Sequence, residues 1–143
     1  METSNNIAII QKIYTAFKAK DLPTVLLLQA PDSEWSVAGP SDRIPWAAPR
    51  HGHQGVADFL KVLGEWLVPE VFEIHDFFEK PDKVVALGYQ KGYVRSTGSP
   101  YEFDFVHLWV LRESKVVKFR VYYDTAYVAD VLNWETKVPD VPE

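Results

Sequence analysis

The segment YEFDFVHLWVL (101–111), RESK (112–115), VVKFRVYYD (116–124) decides how this chain is read. Two arms rich in aromatic and β-branched residues flank a short polar turn, which predicts a long antiparallel hairpin. Ionisable groups stand among the apolar residues of both arms. By the side-chain period of two, residues whose numbers sum to about 227 should lie opposite each other. One face then carries Asp104, Val106, Leu108 and Val110 against Val117, Phe119, Val121 and Tyr123. The other carries Phe103, Phe105, His107 and Trp109 against Val116, Lys118, Arg120, Tyr122 and Asp124. Unpaired buried charge is costly, so the His, Arg and Asp of this hairpin must be satisfied or used. A β-bulge in either arm would exchange the faces beyond it.

Composition narrows the field. A chain of 143 residues fits one domain with a sizeable core. The 47% hydrophobic and 14% aromatic content belongs to a globular protein and not to a disordered one. A formal net charge of −5 argues against nucleic acid or an anionic membrane as partner. No cysteine is present, which excludes disulfides, thiol catalysis and Cys-ligated metals. The N-terminal METSNN has neither the basic nor the apolar region of a signal peptide, and the apolar runs are too short to span a bilayer. The expectation is a cytoplasmic domain.

Outward from the hairpin, Thr3, Ser4 and Asn5 can cap a first helix through Ile7, Ile10, Ile13, Tyr14 and Phe17. Asp21 can cap a short second helix, with Pro23 tolerated in its first turn, until Pro31 and Asp32 break it. Glu34 to Val37 reads as a short strand. Residues 39–55, rich in Pro and Gly, read as a long loop, and a third helix runs through Val56, Phe59, Leu60, Leu63 and Leu67 with Trp66 at its edge. Strands over 70–78 and 84–95 lead into the hairpin, and 125–132 reads as a closing helix. Helices first, then a meander of long strands, predict an α+β fold with three helices on one face of a curved antiparallel sheet.

That order and its landmarks resemble the NTF2-like superfamily, and within it the SnoaL-like, ketosteroid-isomerase-related proteins. The matching residues are Tyr14 to Phe17 with Lys20-Asp21-Leu22, Ser33-Glu-Trp35, Gly39-Pro40, and His53-Gln-Gly55-Val56 with Phe59. In the hairpin they are Gly98 to Tyr101, Val106 to Trp109, Lys115 to Arg120 and Asp124-Thr125. The resemblance spans nearly the whole chain. It implies one SnoaL-like domain over residues 1–133 and a C-terminal tail over 134–143. It also implies a cone-shaped cavity between sheet and helices, and a homodimer built on the outer sheet face. Activity does not follow from this fold, because the superfamily holds isomerases, hydrolases, dehydratases, cyclases and non-enzymes.

By the family's layout the cavity face is the one carrying Asp104, Val106, Phe119 and Tyr123. Tyr14, Trp35, Val37, Trp66 and Gln90 are the further expected lining residues. Gly88 and Gly92, expected opposite Leu108 and Asp104, either leave space for a ligand or mark a bulge. The family's isomerases carry carboxylic acids where this chain has Val37 and Val106, which argues against steroid isomerisation. Asp104, if it points inward, is a desolvated carboxylate suited to general base work, or it bonds a rim loop. Asp124 and His107 stand where SnoaL cyclases hold an acid–base pair. Asp124 can equally cap the closing helix, and His107 can be a hydrogen-bonded structural residue. The opposite face, with Phe105, Trp109, Arg120 and Tyr122, is the expected dimer contact.

His51-Gly-His53 lacks the carboxylate or cysteine that would complete a metal site, and no phosphate-binding Gly-rich loop or nucleophile elbow occurs. No cofactor or metal is expected. Two functions remain in view. One is a cofactor-independent acid–base enzyme (isomerase, cyclase, dehydratase or epoxide hydrolase) acting on a small, apolar, oxygenated molecule. The other is a non-catalytic binding or dimeric adapter module.

Overall fold

The computed structural model describes residues 5–132. The expected caps Thr3 and Ser4 and the tail 134–143 lie outside the described residues. α1 (Asn6–Lys18) buries Ile10, Ile13 and Tyr14 by their three- and four-residue spacing, with Phe17 half-buried. Asp21 caps α2 (Leu22–Leu27), accepting from the Thr24 amide at 3.2 Å and the Thr24 hydroxyl at 2.6 Å. β1 (Gln29–Val37) starts earlier than the sequence predicts. Pro31 and Asp32 are tolerated inside it because they sit where its register against its neighbour shifts, and both are exposed.

A loop over 38–49 returns through the two-residue strand β2 (Arg50–His51) into α3 (Gly52–Trp66). The chain then goes directly into β3 (Leu67–Lys80), so Pro69 lies in an edge strand, where no ladder donor is needed. β4 (Lys83–Val94), β5 (Pro100–Arg112) and β6 (Lys115–Tyr122) complete the meander, and α4 (Thr125–Leu132) closes it. The sheet order is β2-β1-β6-β5-β4-β3. β1 and β6 pair in parallel, so the sheet is mixed and not purely antiparallel. The inner face of this α+β sheet packs against the helices. Trp35, Phe59, Trp109 and Phe119 form the centre of the core.

The hairpin corrects the expected facing. Near the turn, Arg112 faces Lys115 and Leu111 faces Val116. Beyond them Val110 faces Lys118, Trp109 faces Phe119 and His107 faces Val121. Val117 is the extra residue of a β-bulge, which shifts one arm by one residue and brings Phe119 and Val121 onto the face of Trp109 and His107. The β6 residues therefore point inward as expected, and the β5 residues are reversed. Tyr101, Phe103, Phe105, His107, Trp109 and Leu111 are buried; Glu102, Asp104 and Val106 are exposed.

The two glycines of β4 face Phe105 and Tyr101, not Leu108 and Asp104. They stand beside the two register shifts of β3, Pro69/Val71 and Ile74/Asp76. A Cβ on Gly92 would collide with the Val68 carbonyl oxygen, and one on Gly88 with the Phe105 ring. Their missing side chains let neighbouring backbone and the Phe105 ring approach, and leave no void for a ligand.

Candidate functional site

His107 lies mid-strand on the inner face of β5. Phe105 stacks on its ring at 4.2 Å and Phe119 meets it edge-on at 4.9 Å. Tyr14 and Phe72 close the enclosure at centroid distances of 5.8 and 6.4 Å. This desolvation holds the imidazole neutral, lowering its pKa from 6.5 to about 3. Burial also pushes the Tyr14 phenol well above the ordinary tyrosine value, partly offset by a hydrogen bond from Trp109. Both groups are uncharged across the physiological range.

Their hydrogen bonds fix the direction of the protons. Trp109 Nε1 donates to the Tyr14 oxygen at 3.0 Å, and an indole can only donate. Tyr14 Oη and His107 Nδ1 are 2.6 Å apart. The Tyr14 hydrogen finds an acceptor only if His107 Nδ1 is unprotonated, because Trp109 offers none. The neutral ring then carries its hydrogen on Nε2. That N–H makes no hydrogen bond to a described side chain or backbone group, and His107 keeps 6% of its surface accessible. The arrangement presents one oriented donor inside aromatic walls. Chemically, it can hold and polarise an oxygen acceptor.

Further along the same inner face, Trp46 Nε1 donates to Tyr123 Oη at 3.2 Å, and Tyr101 Oη donates to Gln90 Oε1 at 3.2 Å. Phe103 packs between the two tyrosines, 4.7 Å from Tyr123 and 5.6 Å from Tyr101. The Trp46 loop is pinned on both sides: Arg50 Nη2 donates to the Pro45 carbonyl at 3.0 Å, and the Val37 amide donates to the Ala47 carbonyl at 3.1 Å.

Of the expected lining residues, Tyr14, Trp35, Val37, Gln90, Phe119 and Tyr123 lie on the inner side of the sheet or under the helices. Trp66 is half-buried against the core at the end of α3. Trp35 is committed to packing, with Phe119 at 4.4 Å and its Nε1 donating to Gln29 Oε1 at 2.8 Å. Val106 is 36% exposed on the outer face, and Asp104 is exposed beside it. The inward position expected for both is lost through the bulge at Val117. Asp124 is exposed and caps α4, its Oδ1 accepting from the Tyr127 amide at 3.1 Å. Phe105 and Trp109, expected at the dimer contact, are buried inside; Arg120 and Tyr122 remain outside, the guanidinium 5.6 Å from the Tyr122 ring centre.

Sequence reasoning did not connect Tyr14, Trp109 and His107 into one unit. A signal was there: alternate residues from Tyr101 to Leu111 are the larger apolar ones, and a half-exposed sheet turns its more apolar face inward.

The loop histidines are otherwise engaged. His53 Nε2 is 3.0 Å from the Gln29 carbonyl, and His51 Nε2 is 3.5 Å from Glu34. Among the described residues no three His, Cys, Asp or Glu side chains gather as metal ligands. A separate surface groove of about 370 Å³ runs past Glu70, Lys91, Gly92, Tyr101, Glu102 and Tyr127. It lies apart from His107 and is open to solvent. No described helix is long and apolar enough to cross a membrane.

A curved, unclosed sheet wrapped on its inner face by helices is the cone of the NTF2-like proteins. The model of the SnoaL-like domain matches residues 10–119, and the chain belongs to that family. Among solved structures it is similar to an NTF2-like protein from Burkholderia xenovorans, with 30% identity over 93% of this chain and 99% of that one, at a TM-score of 0.83. An NTF2-like protein of unknown function from Burkholderia pseudomallei is 27% identical, covering 91% and 98% of the two chains, also at 0.83. TerC, co-crystallised with polyporic acid, is 27% identical, with coverage of 91% and 99% and a TM-score of 0.76. No curated protein matches the chain.

Proposed function

We propose that this SnoaL-like protein binds a small, flat, mainly apolar molecule in the aromatic interior of its cone, and polarises one carbonyl oxygen of it through His107. The observation that carries this reading is the Trp109–Tyr14–His107 chain, which spends Nδ1 internally and leaves the Nε2 hydrogen for a ligand. Aromatic rings on several sides favour a planar partner, and a neutral site favours an uncharged one. The chemistry within reach is keto–enol proton transfer. Nε2–H stabilises negative charge as it develops on the ligand oxygen, while solvent water takes the proton from the neighbouring carbon and returns one to the oxygen to complete the enol.

Asp104 and Asp124 are exposed, Asp124 as the cap of α4, and neither takes part in this chemistry. The second reading, binding without turnover, draws support from the same fact: the buried polar side chains among the described residues include no Asp or Glu. The relative co-crystallised with polyporic acid supports small-molecule binding. Titration with an uncharged planar ketone such as 1-tetralone tests the proposal directly. Trp35 and Trp109 lie at the core, so binding inside should quench tryptophan fluorescence saturably, at one ligand per chain. Enhancement of stability or quenching by no member of a panel of planar ketones, quinones and phenols would sink the reading.

Dimerisation belongs to the same proposal. Tyr122 and Val106, 40% and 36% exposed, lie on the outer sheet face with the half-buried Leu108, Val110, Val85 and Leu87. Such a surface is best covered by a second copy of the chain. Sedimentation should give a dimer at micromolar concentration, and Tyr122→Glu should shift it to monomer. A wild-type monomer under those conditions removes this part of the account.

A further inference from the structure

The chain ending at His107 has a counterpart higher on the same face. In both, a tryptophan indole donates to a tyrosine oxygen: Trp109 to Tyr14 at 3.0 Å and Trp46 to Tyr123 at 3.2 Å. Tyr14 passes its own hydrogen to His107. Tyr123 has no such acceptor among the described residues, so its hydroxyl hydrogen is unspent. A half-buried donor of this kind gains by meeting an acceptor.

The two unspent donors are neighbours. His107 faces Val121, and Tyr123 lies two residues further along the same arm, on the same inner face. Diagonal partners across an antiparallel pair stand about 7–8 Å apart. Phe103 packs on Tyr123 at 4.7 Å and Phe105 on His107 at 4.2 Å, so the wall beside both donors is apolar. Trp46 is fully buried and its loop is pinned by Arg50 and Val37, which fixes the Tyr123 oxygen in place.

We propose that Tyr123 is a second ligand-binding residue, and that the ligand is a planar molecule with two acceptor oxygens on opposite sides of an apolar ring. One oxygen accepts from His107 Nε2–H and the other from Tyr123 O–H. Trp46 is a positioning residue, acting only through Tyr123. This inference rests on the interior-binding reading and narrows it from carbonyl compounds in general to quinone- or diketone-like ones.

The test compares 1,4-naphthoquinone, with two opposed carbonyls, and 1-tetralone, with one, by calorimetric titration of the wild type, Tyr123→Phe and His107→Phe. The chain has no cysteine for a quinone to alkylate. Wild type should bind the quinone about tenfold more tightly than the monoketone, the worth of one extra hydrogen bond. Tyr123→Phe, shown folded by its melting curve, should erase that preference, bringing quinone affinity down to that of tetralone. Unchanged quinone binding in Tyr123→Phe, with both probes weakened by His107→Phe, overturns the second contact and leaves the interior reading standing. Binding of neither probe, or binding indifferent to His107, overturns both.

Discussion

His107→Phe should lower turnover of a carbonyl ligand by about 10²–10³-fold, the usual loss when a donor to a developing oxyanion is removed. Binding of 1-tetralone should weaken by about tenfold or more, since the ground-state hydrogen bond is lost as well. Phenylalanine fits the aromatic enclosure but orphans the Tyr14 hydroxyl hydrogen, which costs about 1–3 kcal/mol of stability. His107→Gln separates function from packing. Its amide reaches toward the Nε2 position and can still donate, so it should retain a measurable part of both binding and turnover. If His107 served packing alone, both variants would melt earlier and bind as wild type does. Tyr14→Phe acts indirectly, releasing the ring from its fixed orientation, and should reduce turnover by less than His107→Phe.

The fold was largely legible because its signals are local. The spacing of Ile10, Ile13 and Tyr14, the Asp21 cap and the polar turn at 112–115 each determine structure within a few residues. The parallel pairing of β1 with β6 was not legible, since it joins segments more than eighty residues apart and leaves no periodic trace. The facing of β5 was misread for a single reason. Val117, in a run of two valines, carries no mark that it is the bulged residue, yet its extra length turns His107 and Trp109 inward and Asp104 and Val106 outward. Asp124 was legible as a cap from its place before Thr125. The Tyr14–His107 bond links residues 93 positions apart and could be found only once the facing was known.

His107 is neutral, with its hydrogen on Nε2, and pH tests this. The folded pKa of about 3 lies below the ordinary 6.5, so between those values the unfolded chain binds a proton that the folded chain refuses. Folding stability therefore falls as pH drops through that window, by at most about 1.4 kcal/mol per pH unit from this group, and is unaffected by it at higher pH. His107→Phe should lose that portion of the acid sensitivity. The most direct measurement is side-chain ¹⁵N NMR of His107, followed from about pH 7 to about pH 4.5, across the ordinary histidine range. The expected result is one neutral form throughout, with Nε2 protonated and Nδ1 bare as the acceptor from Tyr14. An imidazolium signal growing in near pH 6, or a hydrogen on Nδ1, would contradict it.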